Sequence, residues 1–102
     1  MKILIEWTIP KSKWLEALEL LSRIDVDEYK EQWGPGITTL GRWHNPATGK
    51  SLAVVEADDP VNVSRMIMGW GDLAEVEMSI VHTDEEAFEL IAVAKELRDA
   101  AG

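Results

Sequence analysis

The ionisable residues on strand-like segments of this chain include Glu6, Arg42, His44, Glu56 and Glu77. Carboxylates that share a partly dry site push each other's pKa values apart, so that one serves as an acid and another as a base. Glu6 and Glu56 are candidate catalytic carboxylates on that ground, with Glu77 beside them. His44 is a candidate base, and Arg42 is a candidate clamp for an anionic oxygen. The same groups could equally form ion pairs, within one subunit or across a dimer seam, and such networks shift pKa values too. Glu6, Glu56, Glu77 and His44 also offer oxygen and imidazole donors to a divalent ion. The sequence has no HxxxH, HExxH or EF-hand spacing, so no metal is expected, and His82 reads as a strand-end surface histidine.

Two further motifs lose their chemistry in context. His44-Asn-Pro-Ala-Thr-Gly49-Lys50-Ser51 lacks only the first glycine of a phosphate loop, but a strand-like segment follows it where that loop needs a helix. A hairpin is the expected reading. None of Ser12, Ser22, Ser51, Ser64 and Ser79 sits in a GxSxG or SxxK setting, which leaves nucleophilic catalysis without support.

The elements that must position these residues follow from periodicity. Residues 3–9 alternate as a strand, with Ile3, Ile5, Trp7 and Ile9 on one side and Leu4, Glu6 and Thr8 on the other. Pro10 ends it. Ser12 is placed to cap a helix in which Trp14, Leu15, Leu18 and Leu21 recur. Val26, Tyr29 and Trp33 extend the pattern as one long helix or two abutting ones, until Gly34-Pro35-Gly36 breaks it. Residues 37–44 alternate as a second strand and 51–57 as a third, joined by the turn chemistry of residues 45–49.

Asp59 and Pro60 begin a second helix as cap and first helical residue, with Val63, Met66, Ile67 and Trp70 on its apolar side and Gly71 as its stop. A fourth strand covers about 73–82. Thr83-Asp-Glu-Glu86 is a capping box, opening a helix over 84–100 with Ala87, Leu90, Ile91, Ala94 and Leu97 on one side.

The order is β-α-β-β-α-β with an added C-terminal helix, which is the ferredoxin-like α+β sandwich: four antiparallel strands with helices on one face. One domain is expected, with its core in 1–82. Sorting the strand faces puts Ile3/Ile5/Trp7, Ile37/Gly41/Trp43, Ala53/Val55/Ala57 and Val76/Met78/Ile80 beneath the helices. Gly41 and the alanines then leave room for Trp14 and Trp70. The opposite face mixes Leu4, Leu40, Leu52 and Val54 with Glu6, Arg42, His44, Glu56 and Glu77. That face is too apolar for open water and too charged for an ordinary core.

Composition removes whole classes of function. Nineteen acidic against 10 basic residues give a formal charge of −9, so nucleic acid and anionic membranes are not expected partners. There is no cysteine for a disulfide, thiolate or zinc site, and no apolar run reaches the length of a membrane span. The opening MKILIEWTIP is interrupted by Glu6 and does not read as a secretory signal, which leaves the cytoplasm as the expected compartment. Five tryptophans stand against one tyrosine and one phenylalanine. Trp7, Trp43 and Trp70 are expected in the helix-covered core, and Trp33 is placed to close the mouth of a cavity.

The segments IEW, GITTLGRW, VVEADDP and MGWGDLAEVEMSIV resemble a family of short bacterial proteins known only as a domain of unknown function, within the dimeric α+β barrel group. The resemblance runs from residue 1 to about 82 and leaves the final helix outside it. It implies a homodimer that pairs two sheets face to face around a cavity. No cofactor is expected. The expected function is small-molecule binding in that cavity, by Glu6, Trp33, Arg42, His44, Glu56 and Glu77. Two alternatives stand beside it: a cofactor-independent monooxygenase or isomerase of the barrel group, and a non-catalytic module docking a protein partner through the acidic surface or the last helix.

Overall fold

A computed structural model of the chain describes residues 1–27, 34, 36–69 and 71–102. Its four strands are β1 (Lys2–Thr8), β2 (Ile37–Asn45), β3 (Lys50–Ala57) and β4 (Glu75–Val81). They form one antiparallel sheet in the order β2-β3-β1-β4, as the ferredoxin-like arrangement requires. The helices are α1 (Trp14–Leu21), entered through a tight turn at Lys11–Lys13, α2 (Pro60–Met68) and α3 (Asp84–Ala101). The expected α+β fold with an extra C-terminal helix is the one observed.

The core lies between the sheet and the first two helices. Ile3, Ile5 and Trp7 of β1 and Ala53, Val55 and Ala57 of β3 are buried against Ala17 of α1 and Val63 of α2. Each of the large members, Ile3, Ile5, Val55 and Val63, contributes roughly 1.5–3 kcal/mol by leaving water. Alternation in β1 and β3 therefore predicts the buried face correctly.

Local chemistry explains most element ends. Asp59 caps α2 by accepting from the Val61 N–H at 2.9 Å, with Pro60 behind it as the first helical residue. Thr83 Oγ1 accepts from the Glu86 N–H at 3.3 Å, and the Glu86 carboxylate accepts from the Thr83 N–H at 3.0 Å, so the capping box is complete. The turn after Asn45 closes through Gly49, whose φ of +72° suits glycine and whose carbonyl accepts from the Ile9 N–H at 2.8 Å. A Cβ there would meet the Ile9 carbonyl oxygen at 2.9 Å.

The start of α1 differs from expectation. Ser12 does not cap it; the Lys13 N–H bonds the Pro10 carbonyl and the helix begins without a side-chain cap. Its packed stripe is Trp14, Ala17 and Leu21, while Leu15 is 80% exposed, because the helix sits on the sheet through its smallest residue. The continuation of the first helical pattern to Tyr29 and Trp33, and Trp70 after α2, lie outside the described residues.

The main departure is in β2. Thr39 pairs with Val55, but the next pair is Gly41 with Val54, so Leu40 is an extra residue and the strand carries a bulge. Side chains alternate every residue, so one inserted residue exchanges the faces of everything beyond it. Before the bulge Ile37 and Thr39 stand over the helix side, across from Ala57 and Val55. After it Arg42 and His44 stand there, across from Ala53 and Ser51, and Trp43 faces the other way, across from Leu52. The expected placement of Gly41 and Trp43 beneath the helices, and of Arg42 and His44 on the open face, is thus reversed.

Edge position accounts for a smaller departure. Met78 and Ile80 of β4 share the helix side with Ile5 and Ile3 through direct pairing, yet both are exposed on this edge strand, while Val76 of the same strand packs against the core. The chain measures 57 × 29 × 21 Å, and from Phe88 onward every residue of α3 is exposed. No helix among the described residues is long and apolar enough to cross a membrane.

Candidate functional site

Sheet register assembles the open face in rows that cross all four strands. Trp43, Leu52, Glu6 and Glu77 form one row, from β2 through β3 and β1 to β4. Asn45, Lys50, Thr8 and Glu75 form the next, toward the hairpin end. These two rows line a depression of about 450 Å³, with His44 among its other lining residues. Along the first row the surface changes from an indole and a leucine to two carboxylates.

Each member is held by the backbone. Glu6 and Glu77 are directly opposite in the β1–β4 ladder, where Cβ atoms lie about 4.5–5.5 Å apart and like charges repel. Trp43 is 60% exposed, but its ring is not loose on the surface: a Cβ at Gly41 would lie 2.3 Å from the indole. The ring therefore lies across Gly41, which is glycine because the indole occupies the space a side chain would need. A glycine inside a strand marks a bulge or a close approach, and Gly41 does both, so it was the one sequence signal for the position of Trp43.

Glu56 is not part of this group. It opposes Lys2, four residues and roughly 13 Å along the strand from the Glu6 row. Its carboxylate accepts from the Met1 ammonium at 2.7 Å and lies 3.4 Å from Lys2 Nζ. The bond from the ammonium, then the positive charge of Lys2, holds its pKa below the usual range. The expected approach of Glu6 and Glu56 fails because β1 and β3 pair with these residues at opposite ends.

Arg42 and His44 form a separate arrangement on the helix side. His44 Nδ1 is 2.8 Å from Ser51 Oγ, and the imidazole meets the Trp7 ring edge-on with centroids 6.2 Å apart. Partial burial, and then the Arg42 charge, lower the His44 pKa, so the ring is neutral at pH 7. The Nε and Nη2 atoms of Arg42 are buried. Arg42 and His44 thus stand on the opposite face of the sheet from Glu6 and Glu77, while His44 still borders the same depression. The four proposed metal donors likewise do not converge, and among the described residues no group of three such side chains could hold an ion. His82 is exposed at the end of β4, 3.9 Å from Glu86, as expected of a surface histidine. Trp33 lies outside the described residues.

Residues 1–95 match the family described as Domain of unknown function (DUF3303). The chain belongs to this family. The match runs well into α3, so the expectation that the final helix lies outside the family pattern is corrected: the family includes most of it. Neither a curated protein nor a solved structure matches the chain. Family membership brings no activity with it, and the site has to be read from its own geometry.

Proposed function

We propose that this protein binds a small organic cation with a flat apolar part, in the depression on the open sheet face, and that a second copy covers that face. The observation that carries the reading is the row Trp43–Leu52–Glu6–Glu77. An ammonium placed against Glu6 and Glu77 relieves a like-charge pair that the ladder forces together, and a flat ring on the same molecule reaches Leu52 and the Trp43 indole. Cations over an indole gain further from the ring quadrupole, by about 0.5–2 kcal/mol.

Pairing of two copies follows from the same face. Leu40, Trp43 and Leu52 are all exposed there, beside half-buried Leu4 and Val54, and a contiguous apolar patch of this kind marks an interaction surface. Two such sheets facing each other would turn the open depression into an enclosed one, where water screens the carboxylates less.

Calorimetric titration with tryptamine and with indole-3-acetate tests the ligand class, because the two share a ring and differ in charge. Tryptamine is expected to bind and the acetate not, with Glu77→Gln and Trp43→Ala each weakening tryptamine by roughly tenfold, about 1.4 kcal/mol. Equal binding of both, or of neither, overturns the reading. Sedimentation at micromolar concentration tests the pairing: Leu52→Lys is expected to weaken the self-association of the parent protein, and association unchanged by Leu52→Lys would overturn it.

A further inference from the structure

The C-terminal helix has an apolar seam that its own chain leaves in water. Ala87, Leu90, Ala94, Leu97 and Ala101 recur at alternating spacings of three and four, the a and d positions of a heptad pattern. Leu90 is 51% and Leu97 67% exposed. Helices in proteins owe most of their stability to packing an apolar face, and the face of this 18-residue helix is exposed. The capping box and the Lys95–Asp99 pair at 2.6 Å support α3 locally, but neither covers the seam.

We infer that α3 pairs antiparallel with α3 of a second copy. The spacing fixes the register: Ala87 packs against Leu97 of the other copy, and Leu90 against Ala94, so each of these layers sets a small residue against a large one. Alternate alanines let the two backbones approach closely, since interaxial distance depends on the side chains at the contact. Charge then selects the direction. Beside the seam, Asp84, Ile91 and Arg98 lie seven residues apart on one edge. In the antiparallel register Asp84 meets Arg98 of the second copy, twice by symmetry, and Ile91 meets Ile91 between them. The parallel register would set Asp84 against neither of these and would place the acidic first turns of both helices side by side. Antiparallel helix dipoles attract as well. On the other edge Val93 meets Val93 near the two-fold axis. The inference does not depend on the sheet face, because among the described residues α3 is tied to the sheet near its first turn, where Glu86 lies 3.8 Å from Lys2, and is exposed from Phe88 onward.

The chain has no cysteine, so single cysteines report the contact directly. In the full-length protein under mild oxidation, Val93→Cys is expected to give a disulfide-linked dimer, while Ala87→Cys and the outward-facing Asp99→Cys do not. In the Val93→Cys background Arg98→Asp should reduce cross-linking by roughly tenfold, and adding Asp84→Arg should restore it; circular dichroism checks that the helix persists in both. Cross-linking of Ala87→Cys in preference to Val93→Cys, or of Val93→Cys no faster than Asp99→Cys, would overturn the antiparallel pairing. So would a charge swap that fails to rescue while helicity is retained.

Discussion

Strands β1 and β2 look alike as sequence and behave differently as structure. Both alternate apolar and polar residues over their whole length. In β1 the alternation holds, and Ile3, Ile5 and Trp7 are all buried. In β2 it holds only to Thr39, after which Leu40 adds a residue and Trp43 emerges on the face opposite the one it would otherwise share with Ile37. The comparison teaches that period-two reading is as good as the ladder is continuous. A single extra residue costs little in pairing and moves an indole and two cationic-type side chains across the sheet.

Substitution of matched positions should expose the difference. Ile5→Ala removes buried volume from β1 and is expected to cost about 2–5 kcal/mol in urea unfolding. Trp43→Ala, which an unbroken β2 would make equally severe, should cost the monomer under about 1 kcal/mol, as surface changes do. A loss above 3 kcal/mol for Trp43→Ala would return this residue to the core.

Deletion of Leu40 tests the bulge itself. With the extra residue gone, Thr39–Val55 and Gly41–Val54 become consecutive pairs and both halves of β2 keep their present faces. The deletion should cost less than about 2 kcal/mol, within the ordinary range of single changes. Iodide quenching of the Trp43 fluorescence, isolated by difference from Trp43→Phe, should remain. Loss of that quenching would mean that the strand had no bulge to remove.

A smaller effect is expected at Gly41. Gly41→Ala drives a methyl into the indole, and Trp43 can swing outward because it is largely exposed, so the loss should be about 1 kcal/mol. Adding Trp43→Ala should return most of it, and a double mutant no better than the single would show that the ring does not lie over Gly41.

The smallest prediction concerns pH. His44 has a folded pKa below its unfolded value of 6.5, from burial and the Arg42 charge. Its contribution is therefore present above pH 6.5 and is lost as pH falls through the lower folded value. Relative to His44→Gln, the parent protein should lose stability as the pH is taken below 6.5. Parallel stability curves for the two proteins would remove Arg42 and His44 from a shared environment.

Most of the framework could be read from the residues. Asp59-Pro60 and Thr83 to Glu86 carry their caps in the side chains themselves, so the starts of α2 and α3 are local properties. The faces of β1 and β3 follow from alternation alone. The candidate site could not be read as well, because it depends on register. Glu6 faces Glu77 and misses Glu56 owing to how the strands align, which no residue in β1 declares. Arg42 and His44 were misplaced by the bulge, whose only trace is a glycine that also reads as making room for a core side chain.

The projecting α3 also governs how the molecule moves as a whole. A rod of 18 residues adds about 27 Å to one dimension, which fits the 57 Å length against widths of 29 and 21 Å. Such a body does not tumble like a sphere. Rotation about the long axis is fast and end-over-end rotation is slow, and the N–H bonds of a helix point along its axis. Amides of α3 that ride rigidly with the sheet therefore sense mainly the slow rotation, and their nitrogen transverse relaxation should exceed that of sheet amides lying across the rod.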